Sequence, residues 1–384
     1  MLEREAMAVL VSAKGVGYAA RAAALQKAES AKDILADPAA FQRELSETGV
    51  LAVRRAMQHA EAILDEIYAS GTHLLLPGEE GYPKRLRQIP RAPHLLFVQG
   101  AATLDDELSV SIVGTRAASE YGLRHTRRIA QELAKSGVCI VSGLALGVDA
   151  AAHEGALSAN GRTIAVLGGA LDKFYPEENR ALRDRILEAG GSVVSEYPMG
   201  VAPNRYSFLL RNRIIAGLSQ GTLVTEGPLR SGALRTASDA GDYGREVFAL
   251  PGSVDAPNSA LPHKLLADGA HLATNGADIL CILAPQLGQE IAALRREETT
   301  RTKKAAIRKE EPQVHEEKSA PAIPEDLPSE ERAVLMALVD GEKDFDALCE
   351  ETGMDGAALG TVLMGLEMEG LITSLPGLRY AREA

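Results

Sequence analysis

The chain has 384 residues, room for two or three domains, and its 53 acidic against 41 basic side chains give a formal net charge of −12. That balance argues against a protein that coats duplex DNA through bulk charge. Three scattered cysteines (Cys139, Cys281, Cys349) without CxxC spacing argue against a disulfide framework or a cysteine zinc site, and no apolar run reaches the length of a membrane span.

Residues 1–75 are rich in Ala, Leu, Glu and Arg at helical spacing and predict a small all-helical domain of the SAM or helix-hairpin-helix type. Within it Lys14-Gly15-Val16-Gly17-Tyr18 reads either as a phosphate-binding hairpin or as a plain turn. The start of the chain mixes both charge signs and lacks a secretory apolar core, so a cytoplasmic protein with reduced thiols is expected.

From 76 to 284 short apolar runs alternate with helical segments. The runs are Leu95–Val98, Val110–Val113, Cys139–Val141, Ile164–Leu167, Val193–Val194, Leu223–Val224 and Val247–Leu250. Between them lie helical patterns such as Tyr121–Ser136, Val148–Ser158, Asn179–Glu188 and Arg230–Tyr243. This alternation predicts an α/β fold, an extended Rossmann-like parallel sheet covered on both faces. Small or polar pairs follow the strands: Gly114-Thr115-Arg116, Ser142-Gly143, Gly168-Gly169, Ser195-Glu196, Glu226-Gly227 and Pro251-Gly252. Open α/β sheets bind ligands at such carboxyl ends, where Gly admits a close backbone and helix N-termini offer N–H donors.

Residues 285–325 carry charge runs and prolines and predict a linker. The tail, 326–384, predicts a winged-helix domain: a helix capped by Ser329, helices over Phe345–Glu351 and Ala357–Met368, and a strand-turn-strand wing over Leu371–Tyr380. Its would-be recognition helix, Asp355–Gly370, has no Lys or Arg, and 325–384 holds 14 acids against four Lys and Arg. Groove insertion needs positive charge, so a protein-contact or regulatory module is expected.

The organising stretch is Arg205–Arg235, RYSFLLRNRIIAGLSQGTLVTEGPLRSGALR, with five arginines against one acid, Glu226. Guanidinium groups match phosphate oxygens in pairs, so a local basic patch on an acidic chain points to a specific anion. Surface ion pairing is the plainer alternative. Catalytic signatures are missing: there is no GxxxxGK[ST], no GxGxxG after a strand, no HExxH and no GxSxG. Asp149, His153 and Glu196 are the nearby acid–base candidates, and Asp149 with His153 reads more simply as local hydrogen bonding.

Taken together these residues resemble the DNA-processing protein A family (DprA, also called Smf). The resemblance runs through Ile112–Arg116 with Tyr121-Gly122, Ser142–Ala145 with Gly147-Val148-Asp149 and Ala152-His153, Ser195–Pro198, Phe208 with Arg211–Ser219, and Ser231–Leu234 with Thr236-Ala237. It implies a binder of single-stranded DNA, not an enzyme, that loads RecA recombinase during natural transformation and acts as a homodimer, with no metal or cofactor. The implied DNA-binding set is Gly114, Thr115, Arg116, Ser142, Gly143, Gly168, Gly169, Arg205, Phe208, Arg211, Asn212, Arg213, Ser231 and Gly232. Within it Phe208 would stack a base, while Arg211 and Arg213 would hold the DNA backbone. Leu265 and Leu266 would carry the dimer contact. Two positions depart from the family pattern: Leu209 stands where Pro is common, and Ser259–His263 replaces a usual Gly and Asn.

A basic groove with an aromatic platform is also what single-strand binding needs on chemical grounds. The competing readings are a phosphoribohydrolase-type nucleotide hydrolase and a nucleotide sensor signalling through the winged tail. Against the hydrolase, Glu226 falls one residue late, which on a strand turns the side chain to the other face.

Overall fold

The computed structural model describes residues 1–101, 104–106, 108–285, 327–339, 341–375 and 378–382; beyond residue 285 the expected linker lies outside them. The chain divides into two compact units, Met1–Thr299 and Thr300–Ala384.

The first unit is organised by nine strands: β1 (His73–Leu75), β2 (Leu96–Gly100), β3 (Ser109–Val113), β4 (Cys139–Ser142), β5 (Thr163–Val166), β6 (Ser192–Ser195), β7 (Gly221–Val224), β8 (Glu246–Ala249) and β9 (His271–Leu272). They form one sheet in the order β1-β2-β6-β5-β4-β3-β7-β8-β9. From β6 to β9 every neighbouring pair is parallel, whereas β1 and β2 join antiparallel. Both ends of the sheet therefore extend beyond the predicted strands. β1 falls inside the stretch expected to be purely helical, and three residues are too few to show a period.

Among the described residues thirteen α-helices accompany this sheet. Five precede it: α1 (Glu3–Ser12), α2 (Tyr18–Leu25), α3 (Ala31–Ala36), α4 (Gln42–Gln58) and α5 (Ala60–Ala69). Then come α6 (Lys84–Arg87), α7 (Glu120–Lys135), α8 (Val148–Ser158), α9 (Arg180–Glu188), α10 (Arg205–Leu218), α11 (Gly232–Asp242), α12 (Ala260–Ala267) and α13 (Gly276–Leu283). Alternate strand residues feed opposite faces, as the two-residue period demands. Val98, Val113, Val141, Val166 and Val224 pack with Leu86, Ile214, Ile215 and Leu261 of α6, α10 and α12. Val110, Ile112, Ile140, Leu223 and Phe248 pack with Ile129, Leu133, Val148 and Ile279 of α7, α8 and α13. Leu10, Ile34, Val53 and Ile67 of the leading helices share a core with Phe97, Ala165 and Val193 of the sheet. The Lys14–Gly17 segment is the turn between α1 and α2, with Gly15 at φ 93°. Tyr18, at the start of α2, stacks on His94 with ring centroids 4.3 Å apart.

The second unit holds α14 (Ser329–Ala337), β10 (Lys343–Asp344), α15 (Phe345–Thr352), α16 (Gly356–Met368), β11 (Ile372–Leu375) and β12 (Arg379–Arg382). Its strands pair antiparallel in the order β10-β12-β11 over a core of Val334, Leu335, Leu348, Leu359, Leu363, Leu366 and Ile372. That is the expected winged-helix arrangement. One detail differs: Ser329 is the first helical residue and makes no capping bond, the cap position being Pro328. Asp344 and Asp355 cap α15 and α16 by accepting from backbone N–H groups. Among the described residues no helix is long and apolar enough to cross a membrane.

Candidate functional site

The strand order turns at β3. From it the chain winds outward through β4, β5 and β6 on one side and through β7, β8 and β9 on the other. The carboxyl end of β3 is thus a topological switch point, where an α/β sheet opens a crevice. A pocket of about 850 Å³ lies there, walled by Gly114–Arg116 after β3, the first two turns of α10, and Pro228–Leu234 leading into α11.

Helix α10 brings the basic residues to this point. Asn204 caps it, its side chain accepting from the N–H groups of Tyr206 and Ser207 at 2.9 Å each. Helical spacing then sends Arg205, Phe208, Leu209 and Asn212 to the pocket. Three arginines line the opening: Arg116, Arg205 and Arg230 are exposed, and none of these guanidinium groups makes a hydrogen bond or ion pair among the described residues. Arg116 instead sits over the Phe208 ring, 5.3 Å from its centroid. Free guanidinium groups beside a ring face are suited to a ligand that is both anionic and planar.

The other two arginines of α10 are placed differently. Arg211 is buried under the pocket and donates from Nη1 to the carbonyls of Gly143 (2.8 Å) and Val166. Burial lowers its pKa to about 10, against the pull of Asp149, so it stays protonated at neutral pH. Asp149 is itself pushed up by burial and held back by Arg211, and it accepts weakly from the Ala145 N–H at 3.4 Å. Arg213 lies outside the pocket, with its guanidinium donating to Glu196 at 2.6 Å and its side chain only 8% exposed. Both guanidinium groups are therefore engaged in the scaffold, because the second half of α10 is buried on all sides.

The remaining predicted residues divide in the same way. Gly114, Thr115, Asn212, Ser231 and Gly232 line the pocket. The Thr115 N–H donates to the Glu226 carbonyl at 2.8 Å, and the Asn212 amide donates to the Gly232 carbonyl at 3.1 Å, tying α10 to the start of α11. There the Ser231 hydroxyl is buried without a protein partner among the described residues. Ser142 does not reach the pocket; its hydroxyl donates to the Ile112 carbonyl at 2.6 Å. Gly168 and Gly169 are seats for packing: a Cβ there would stand 2.6 Å from Phe208 Cδ1 and 2.7 Å from Pro203 Cδ. Leu265 is buried in the chain's own core and Leu266 packs half-buried against it, so neither presents an open apolar patch. Arg235, last of the basic stretch, pairs with Asp239 at 2.9 Å.

Of the acid–base candidates Asp149 lines the pocket, buried beside Arg211, while Glu196 pairs with Arg213 outside it. His153 is fully buried and meets the Thr163 hydroxyl at 2.7 Å, and no bond joins it to Asp149. The Glu226 carboxylate accepts from the Ser119 N–H and hydroxyl at the start of α7, at 2.8 and 2.5 Å, and does not line the pocket. No group of three or more His, Cys, Asp or Glu could hold a metal among the described residues. The residue the sequence reading missed is Tyr175, in the loop after Gly168-Gly169, whose ring lies 6.0 Å from that of Phe208. An aromatic beside proline at a strand-end turn was the available signal.

Fold and site together define a Rossmann-like α/β protein with a basic, aromatic pocket at its switch point and a winged-helix unit. A family model described as DNA recombination-mediator protein A matches residues 73–284, and one for the DprA winged helix domain matches 318–377. Protein Smf of Synechocystis sp. is 38% identical over 337 residues, covering 83% of this chain and 82% of that protein. DNA processing protein DprA of Streptococcus pneumoniae is 45% identical over 202 residues, covering 53% of this chain and 71% of the relative. The X-ray structure of DNA processing protein A (DprA) from Streptococcus pneumoniae aligns with a TM-score of 0.63 at 34% identity, over 73% of this chain and 98% of that one. The chain belongs to the DNA recombination-mediator protein A family (DprA/Smf).

Proposed function

We propose that this chain binds single-stranded DNA without turning it over, protects incoming strands, and passes them to RecA recombinase in transformation and homologous recombination. The observation that carries the reading is the trio Arg116, Arg205 and Arg230, unpaired among the described residues and lining one pocket with Phe208, over whose ring Arg116 sits. Phosphates would bind the guanidinium groups and the N–H donors at the start of α11, and a base would lie on Phe208. The family's description as a recombination mediator supports the same reading. Action as a homodimer and delivery to RecA recombinase are the further parts of the proposal. Sedimentation of the purified chain and RecA filament formation on protein-coated strands test them.

The nucleotide-hydrolase alternative would need a carboxylate in the pocket. Glu226 is held by Ser119 outside it; Asp149 does line the pocket, but buried and facing the Arg211 guanidinium, which would hold its charge in place. The deciding measurement is fluorescence anisotropy with single- and double-stranded oligonucleotides over a salt series. Single strands should win, with log K falling against log salt by a slope of about −2 for three phosphates at about −0.7 each. Equal affinity for duplex, or no binding to either, would overturn the proposal and direct attention to nucleoside monophosphates.

A further inference from the structure

Residues 90–94, which lead into β2, lie on the same edge of the sheet as the pocket. β2 runs antiparallel to β6 with Phe97 opposite Ser195, so the start of β2 stands beside the carboxyl end of β6. β6 in turn adjoins β5, after which Gly168 packs against Phe208. Two strand steps of about 4.8 Å, about 10 Å in all, therefore separate Phe208 from this segment along the edge.

A second basic and aromatic cluster stands there. Arg91 is exposed and makes no hydrogen bond or ion pair among the described residues. Its guanidinium lies over the Tyr18 ring, 4.9 Å from the centroid, and that ring stacks on His94 at 4.3 Å and 10°. Arg21 and Arg213 also act on Tyr18, against Glu196 alone, so the local charge is positive. Arg91 holds a left-handed backbone, φ 57°, which a residue of its size seldom adopts and which is characteristic of ligand clamps. The ground between is aromatic too: Tyr206, in the first turn of α10, is 66% exposed and lies near Tyr197, the second residue past β6.

The plainer role for this cluster is to fasten the leading helices to the sheet. Tyr18 serves it, donating from its hydroxyl to the Ala92 carbonyl at 3.1 Å. Arg91 adds no bond of its own, and an exposed guanidinium plate on a ring stack can take a stacked base or pair with a phosphate. We infer that Arg91, braced on Tyr18 and His94, is a second contact for single-stranded DNA, taken by nucleotides that leave the pocket past Tyr206. The inference rests on the single-strand reading above and adds to it a site outside the pocket. At a stacked spacing of about 3.4 Å, about three nucleotides cover the interval.

The experiment measures binding of oligothymidylates of about 4 to about 16 nucleotides to the full chain, by displacement of a labelled strand. Each variant is compared with wild type at the same length, so the extra registers of a longer strand cancel. Arg91→Ala should bind the shortest strands within about twofold of wild type, then fall about five- to hundredfold behind once strands outrun the pocket by about three nucleotides. Its denaturant midpoint should match wild type, because the side chain is exposed and unpaired. The control Arg205→Ala should weaken every length. If Arg91→Ala follows wild type at all lengths while Arg205→Ala does not, Arg91 only braces the leading helices and the inference fails, with the single-strand reading intact. A deficit already complete on the shortest strands would mean that Arg91 acts through the pocket, and overturns the inference as well. If Arg205→Ala changes no length, the single-strand reading itself falls.

Discussion

The guanidinium of Arg211 lies where a side chain on residue 143 would begin: a Cβ on Gly143 would stand 2.4 Å from Arg211 Nη1. The same nitrogen donates to the Gly143 carbonyl at 2.8 Å. Residue 143 is therefore glycine to admit a buried cation, and the cation in turn fixes the loop that begins at Gly143. Neither residue is explained without the other.

Gly143→Ala should lower stability by about 1–3 kcal/mol, the usual cost of forcing extra atoms into a packed site. Denaturant midpoints would measure it. Single-strand affinity should fall too, since Arg211 floors the pocket. A neutral substitution would mean that the guanidinium has room to move aside.

Free and engaged arginines should separate cleanly on substitution. Arg116→Ala and Arg205→Ala should each flatten the salt slope by about 0.7 and change stability by no more than about 0.5 kcal/mol. Arg213→Ala should do the reverse. It leaves Glu196 without its partner in a nearly buried place, a loss of about 3–5 kcal/mol, with the slope unchanged in whatever fraction stays folded. A slope that responds to Arg213 and not to Arg205 would reverse these assignments.

This division marks the limit of what the sequence showed. The strands at Val110–Val113 and Ile164–Leu167 were legible because buried parallel strands read as unbroken apolar runs. The strand-end turns after them were legible because Gly and Ser stand out there. Which way each arginine points was not, since charge counts carry no direction. A clue lay in Arg213-Ile214-Ile215-Ala216-Gly217-Leu218, an arginine entering a run without a polar face, which places it in the interior with a partner. Tyr175 escaped because it sits in a loop, where no period exists to follow. Its ring meets that of Phe208, distant in sequence, only once α10 is folded back over the sheet.

Acid should destabilise the first unit through His153. The Thr163 hydroxyl donates to the Ile140 carbonyl, so His153 must donate to it from Nδ1, leaving Nε2 buried without a partner among the described residues. Burial, with Arg211 adding to it, depresses the imidazole pKa to about 3. The unfolded chain, near about 6.5, binds the proton more readily, so stability is complete above that value and is lost as pH falls toward about 3. Unfolding curves at about pH 7.5 and about pH 5 should show the loss, and His153→Gln should reduce it. His94, depressed to about 4 mainly by burial, acts in the same direction, so a remainder is expected. An unchanged loss in His153→Gln would assign the acid response elsewhere.

Glu226→Ala should cost about 2–3 kcal/mol by removing the acceptor for Ser119 at the start of α7. Because the carboxylate does not line the pocket, single-strand affinity of the folded fraction should stay within about twofold of wild type. Anisotropy at a temperature where the variant remains folded checks this. A stable variant that loses binding would return Glu226 to the site.

The helix α16 carries Ala357, Thr361, Met364 and Met368 outward and has no cation along its length. Attraction between a protein and duplex DNA begins with cations displacing the duplex's own counterions. A helix without cations offers no such exchange, and a chromosome presents some 10⁶–10⁹ competing duplex sites, to order of magnitude. On the proposed function, selectivity for a scarce single strand over abundant duplex would then owe as much to what the winged helix declines to hold as to what the pocket retains.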